Sequence, residues 1–285
     1  MGKKISVVMP TYNSEKYIRD AIDSLMFQSY QNFEVLVADA GSSDRTLEII
    51  GNCNLNVKIV SKTDQGVADA LNKGFNKASG EILCWLNSDD VLLYPDVLEK
   101  VQSGFLNEDA NFAFGHCAVL DHAGIIQGRL FAFKPIKGHE QYGSNIFTGS
   151  LFFSQSAWVN FGGFTIKYRV AFEYELVNFL LEHYKEAFIP YFLGGFRLNP
   201  DGLSNSYQKC MSEEKAEIYE SWSAANRIER LCGRIFAQVK QKTLMPAIAN
   251  KLKRPERCHW RENYEKNALQ MANRVLRCNG CADLS

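Results

Sequence analysis

No stretch of the chain approaches the ~18–20 uninterrupted apolar residues of a membrane span, so no segment reads as a transmembrane helix. Net charge is also missing: 32 Lys+Arg balance 32 Asp+Glu, which excludes a protein held on nucleic acid by bulk charge. The phosphate loops G-x-G-x-x-G and G-x-x-x-x-G-K-[ST] are absent, which argues against a Rossmann dehydrogenase or a P-loop enzyme. There is no G-x-S-x-G elbow for a serine hydrolase. Charged residues are only 22% against 46% apolar, so a disordered chain is excluded. The start, Met1–Ser6, offers no apolar leader core and no small-residue cleavage site. The 8 cysteines are therefore expected to be reduced thiols in a cytoplasmic protein.

What the sequence does have is regular alternation. Ile5–Met9 is a β-rich run that Pro10 is expected to stop, and Ser14–Gln28 carries apolar residues at helical spacing with Ser14 as the expected cap. Phe33–Ala38, Val57–Ser61 and Glu81–Leu86 read as strands, with helices at Asp44–Cys53 and Val67–Ala78 between them. Strand–helix alternation with short connections predicts βαβ units and a parallel sheet. Ligands of such sheets sit at the carboxyl ends of the strands. Further on, Ala113–Leu120 and Ile125–Phe133 read as a hairpin, Phe147–Ser154 as a strand, Glu173–His183 as a helix and Ile189–Leu198 as extended.

The 285 residues suit one large α/β domain with a tail. The boundary is expected near Asn199–Gln208, rich in Gly, Ser and Asn, which also reads as a mobile loop over the substrate. This gives a domain at 1–208 and a helical extension at 209–285. From Met211 onward there are 14 Lys/Arg against 9 Asp/Glu, and before it 18 against 23. The tail's Lys240, Lys242, Lys251, Lys253, Arg254 and Arg257 alternate with apolar residues. Such a stretch rests either on an anionic membrane surface, as a peripheral contact, or in solvent as a charged helix face. Cys258, His259, Cys278 and Cys281 fit no standard zinc spacing.

Each predicted strand of the first third ends in a polar cluster: Pro10-Thr11-Tyr12-Asn13, Asp39-Ala40-Gly41-Ser42-Ser43-Asp44, Asp64-Gln65-Gly66 and Asn87-Ser88-Asp89-Asp90. Singly, such residues are ordinary turn and cap formers. Four in succession on one sheet edge point to a site. The adjacent carboxylates of Asp89 and Asp90 repel one another and favour a cation beside them. Oxygen ligands select Mg²⁺ or Mn²⁺, ions that complete their shell with substrate phosphates.

The segments Ile5–Asn13, Asp39–Thr46 and Trp85–Asp90, in that order and spacing, resemble family-2 glycosyltransferases of the GT-A fold. The resemblance is strong over about the first 100 residues, the nucleotide-binding half, and looser over residues 101–208, the acceptor half. It implies a mixed α/β sheet flanked by helices. It also implies inverting transfer of a sugar from a nucleotide-diphospho donor, expected to be UDP-linked, to a glycan or lipid-linked acceptor in polysaccharide or glycolipid assembly. An inactive sugar-nucleotide-binding module and a nucleotidyltransferase are the alternatives.

Carried over position by position, the resemblance puts Pro10, Thr11 and Tyr12 around the nucleoside and Asp39 on the base. Lys62 and Asp69 go near the diphosphate and sugar, Asp89 on the metal, and Asp90 beside it near the donor sugar. Asn87 stands where the family's first acidic residue is usual and is expected to touch ribose or a metal-bound water. The acceptor's base is expected to be Glu173, where Asp is more usual, with Glu175 as competitor. Arg197 is expected to help neutralise phosphate, and Asn199 stands where many relatives carry histidine. The cofactor implied is Mn²⁺ or Mg²⁺.

Overall fold

The computed structural model describes residues 2–133, 146–200, 202, 207–222 and 259–264. Its strands are β1 (Ile5–Thr11), β2 (Phe33–Asp39), β3 (Val57–Ser61), β4 (Ile82–Trp85), β5 (Val91–Leu92), β6 (Phe112–Leu120), β7 (Ile126–Leu130), β8 (Leu151–Ser154) and β9 (Glu186–Arg197). Its helices are α1 (Ile18–Met26), α2 (Thr46–Gly51), α3 (Val67–Phe75), α4 (Val97–Asn107), α5 (Gln155–Phe161), α6 (Glu173–His183) and α7 (Gln208–Trp222). The sheet order is β3-β2-β1-β4-β8-β6-β9-β5, with β7 beside β6. β1 to β4 pair in parallel; β8 runs antiparallel to β4 and β6, while β9 runs parallel to β6. The sheet is therefore mixed, with a purely parallel nucleotide half.

Strand alternation builds two cores. Ile5, Val7 and Met9 of β1 pack with Ile18, Ile22 and Leu25 of α1 and with α4. Val8 points the other way, to Leu71 and Phe75 of α3. There Gly74 lets α3 lie flat on the sheet, since a Cβ at that position would collide with Val8 Cγ1. The second core continues through an aromatic chain from Phe75 and Trp85 through Phe153, Trp158 and Phe164 to Phe172. That chain ties α3 to the approach of α6.

Two local expectations are corrected. Pro10 does not stop β1, which runs on to Thr11. Val8 O accepts from Leu86 N on the β4 side, and Pro10, two residues on, turns its nitrogen to that same side. β4 has already ended there, so no ladder donor is missed. Ser14 does not cap α1 with its hydroxyl. Its carbonyl accepts from Tyr17 N and Ile18 N, closing a turn before the helix, and its hydroxyl instead meets Ser88 Oγ at 2.7 Å.

Segments of the expected extension pack on the domain. α7, beyond residue 208, packs Ile218 into the second core, and Trp260 and Tyr264 join a third cluster with β5, β6 and Phe192. The basic stretch 240–257 and Cys258, Cys278 and Cys281 lie outside the described residues, as does half of the expected mobile loop. No helix among the described residues is long and apolar enough to cross a membrane.

Candidate active site

The carboxyl ends of β1, β2 and β4 open on a cleft of about 1060 Å³. Its first wall is two loops fastened together. After β1, Asn13 N donates to Ser42 Oγ and Asn13 Oδ1 accepts from Ser43 N, at 2.9 Å each. Glu15 N donates to Asp44 Oδ2, Ser14 N to Thr46 Oγ1, and Arg45 N to Glu15 Oε2. The loop after β2 is thus locked against the start of α1. Asp39 sits under this junction, buried. It accepts from Thr11 Oγ1, Gly41 N, Ser42 N and Ser42 Oγ, enough to fill both carboxylate oxygens. Above it Tyr12 is 63% exposed, an aromatic face standing free in the cleft.

The floor is the loop after β4. Asn87 Nδ2 donates to Asp90 Oδ2 at 2.9 Å, and Arg197 N donates to Asp90 Oδ1 at 2.9 Å. Asp90 is buried away from the cleft, and burial, reinforced by the Asp89 charge, pushes its carboxyl well above the usual range. Asp89 faces the cleft and takes one hydrogen bond, from Asn199 Nδ2 at 3.1 Å to Oδ2.

The Arg197 guanidinium, 1% exposed, donates from Nε to Asp89 O, from Nη1 to the carbonyls of Asp121 and His122, and from Nη2 to Asp20. It also stacks on Tyr17, with Cζ 4.8 Å from the ring centre. Its charge is committed to holding the acidic loop from behind rather than lying free for phosphate.

The opposite wall carries Glu173, the first residue of α6. Burial raises its pKa to about 7, against the opposing pull of Lys215 and a hydrogen bond from Thr148. Thr148 opens the short 3₁₀ turn Thr148–Ser150 that replaces the start of the expected 147–154 strand. Glu175 faces elsewhere: its oxygens accept from Thr165 N and Thr165 Oγ1 at 3.1 and 2.8 Å.

Two devices fix the approach to α6. Asn72 of α3 pairs its side-chain amide with both backbone groups of Phe164, after Gly162 and Gly163 turn the chain at φ 84° and 103°. Glu214 of α7 then accepts from Arg169 N, Val170 N and Ala171 N at 2.7, 3.0 and 2.9 Å.

Of the residues singled out from sequence, Pro10, Thr11, Tyr12, Asn87, Asp89, Glu173 and Arg197 line one cleft. Asp39 and Asp90 lie beneath it. Asp69 is turned aside, accepting from Gln65 N and Lys73 Nζ, and Lys62 is exposed beyond β3. Asp64, which the sequence offered only as part of a polar cluster, lines the cleft, and burial raises its pKa. Thr148, Lys215 and Glu214 had no sequence signal, since each acts through a fold contact.

Among the described residues no group of three or more His, Cys, Asp or Glu side chains is assembled for a metal. Asp89, the carboxylate of the loop after β4 that faces the cleft, fits an ion such as Mn²⁺ or Mg²⁺ that takes most of its oxygens from substrate phosphates and water.

Comparison with known proteins agrees with this geometry. The family described as "Glycosyl transferase family 2" matches residues 6–168, more than half the chain. An uncharacterized glycosyltransferase of Haemophilus influenzae is 40% identical over 124 residues, covering 42% of this chain and 49% of that protein. The putative glycosyltransferase EpsE of Bacillus subtilis is 29% identical over 197 residues, covering 67% and 70%. The chain thus spans about half of the Haemophilus relative, and it covers 23% of a Rickettsia conorii one.

Among solved structures, S. aureus TarS 1–349 in complex with UDP-GlcNAc superposes with TM-score 0.61 at 17% identity, covering 88% of this chain and 76% of that one. The Pyrobaculum calidifontis mannosyltransferase PcManGT, in complex with GDP-Man and Mn²⁺, gives TM-score 0.53 at 18%, covering 97% and 87%. At such identities these structures attest the fold. The chain is a GT-A-fold member of glycosyl transferase family 2, a family of glycosyltransferases that use nucleotide-sugar donors.

Proposed function

We propose that this protein is an inverting glycosyltransferase that moves a hexosyl or N-acetylhexosaminyl group from a UDP-sugar to a hydroxyl of a glycan or lipid-linked acceptor. The observation that carries the proposal is that Asp89 and Glu173, from the two halves of the sheet, line one cleft. Tyr12 offers the base a stacking face, Thr11 and Asp39 underlie the nucleoside, and Asn87 faces the ribose side. Asp89 would hold a divalent ion, whose chemistry there would be to neutralise charge on the leaving diphosphate.

The acceptor oxygen attacks the anomeric carbon from the side opposite the diphosphate. Its proton passes to the Glu173 carboxylate as the new C–O bond forms. The bond to the diphosphate breaks, and its electron pair leaves with the nucleotide. One displacement inverts the anomeric centre. A carboxyl with its pKa near 7 is well matched to taking that proton near neutral pH. The surroundings expected for this reaction are the cytoplasmic side of a membrane that carries the acceptor.

The test is a panel of UDP- and GDP-sugars, each with and without Mn²⁺, scored by thermal stabilisation and by nucleotide release with a crude acceptor extract. Stabilisation and release with a UDP-sugar support the proposal. Stabilisation with no release points to a binding module. Preference for a GDP-sugar overturns the UDP assignment.

A further inference from the structure

The segment 259–264 lies against α1, β5 and the β6–β7 turn. Trp260 is fully buried, and its backbone N donates to Gly124 O at 3.0 Å. Tyr264 Oη meets Leu92 O at 2.8 Å and Gln28 Nε2 at 3.2 Å. Between them Arg261 reaches α1, with Nη2 to Asp20 Oδ1 and Nη1 to Asp23 Oδ2, both 2.7 Å.

Asp20 is shared. Its Oδ1 takes Arg261 and its Oδ2 takes Arg197, again at 2.7 Å. Arg197 in turn holds Asp89 O through Nε and Asp90 Oδ1 through its backbone N. A continuous chain of charged hydrogen bonds therefore runs from Arg261 through Asp20 and Arg197 to the loop that carries Asp89.

Relative magnitudes separate docking from orientation. Burying Trp260 and Tyr264 takes two large aromatic side chains out of water, a strong apolar contribution to docking. Arg261 is 37% exposed, and ion pairs open to solvent contribute little. The rings anchor the segment, and Arg261 adds little to that anchoring. What it does add is direction: paired with Arg261, Asp20 is held toward Arg197, whose buried guanidinium has only fixed partners.

We propose that Arg261 is a positioning residue for the metal-ligand loop, acting through Asp20 and Arg197, so that a segment far outside residues 6–168 completes the donor site. The proposal rests on the reading of Asp89 as the metal ligand. Partners one step behind a ligand typically set ~10–100-fold of metal affinity.

The experiment uses the full chain and measures Mn²⁺ affinity at saturating UDP from the electron paramagnetic resonance signal of free Mn²⁺. Affinity for UDP in EDTA and the thermal midpoint are measured alongside. Arg261→Met is expected to weaken Mn²⁺ binding roughly 10-fold while UDP binding in EDTA stays unchanged. Arg261→Lys is expected to recover part of the loss. Asp20→Asn, which weakens both links, is expected to lose at least as much as Arg261→Met.

Wild-type Mn²⁺ affinity in Arg261→Met and Asp20→Asn, with Asp89→Asn impaired, overturns this inference alone. Wild-type affinity in Asp89→Asn overturns the metal assignment and this inference with it. An equal fall of Mn²⁺ binding and metal-free UDP binding in Arg261→Met marks general damage and also overturns the positioning role.

Discussion

The side-chain amide of Asn199 donates to Asp89 Oδ2 across 3.1 Å. This joins the second residue after β9 to the proposed metal ligand. The amide nitrogen at that spacing orients the carboxylate and does not itself ligate an ion. Histidine at 199 would bring an imidazole. Asn199→His is expected to tighten Mn²⁺ binding in the presence of UDP by roughly 10-fold, read by calorimetry. Unchanged affinity would mean that residue 199 lies out of reach of the ion.

Glu173, the proposed base, is expected to set the pH dependence of transfer. Burial pushes its carboxyl up to about 7, and a base must be ionised. Single-turnover transfer is expected to rise with pH through about 7, with Glu173→Gln slower by ~10²–10⁴ but still binding UDP and Mn²⁺. A raised pKa stabilises the protonated fold: that contribution is full below the ordinary carboxylate range and lost as pH rises through about 7. Glu173→Gln, permanently neutral, is therefore expected to melt at or above the wild-type temperature at pH 8. A lower melting temperature there would contradict the burial assigned to this carboxyl. Glu175→Gln is expected to transfer near the wild-type rate, because Glu175 is committed to Thr165.

Glu214 fixes the chain leading to that base. Glu214→Ala leaves three backbone amides without their acceptor, one exposed and two half-buried, where an unpaired buried group costs ~1–3 kcal/mol. Urea unfolding is expected to show a loss of about that size. Transfer is expected to fall with UDP binding retained, because residues 169–171 contribute to the Glu173 wall. Weakened UDP binding would place Glu214 in the donor half instead.

Asp39 fastens the loop after β2, and the proposed bond to the base would have to replace one of its four hydrogen bonds. Asparagine at 39 can keep its oxygen toward the amides of Gly41 and Ser42 and offer its NH₂ to the rotatable hydroxyls of Thr11 and Ser42. Asp39→Asn is therefore expected to fold. A lost charge-assisted bond to the base then shows as ~1–3 kcal/mol of UDP affinity. Full affinity in the folded variant would limit Asp39 to holding the loop.

The contact of Asn87 with Asp90 decides the outcome of a substitution at 87. Restoring the family's acid with Asn87→Asp puts a carboxylate against Asp90 Oδ2, where the Asn87 amide now donates. The new carboxylate loses the bond the amide donated and adds negative charge beside Asp90, whose carboxyl burial already holds well above the usual range. The thermal midpoint is expected to fall, and calorimetry should detect no gain in Mn²⁺ affinity.

The alternation of strands and helices was legible because it is written locally. Period-2 and period-3.6 patterns belong to consecutive residues, and α6 begins and ends at Glu173 and His183 as its spacing predicts. The cleft's position followed from the same pattern, because polar clusters after parallel strands must share one sheet edge. Roles that depend on distant partners were not legible. Arg197 reads in sequence as a free cation, yet its charge is met by Asp20, 177 positions away, and by carbonyls of the β6–β7 turn. Asp90 reads as a second site carboxylate, but β9 covers it. Glu214 and Arg261 stand in a stretch that reads as a tail, and each closes on backbone or charge more than 40 positions away. Periodicity decides which face of an element is buried. Which charge meets which depends on how the sheet closes and what the C-terminal segments cover, and no local pattern encodes that.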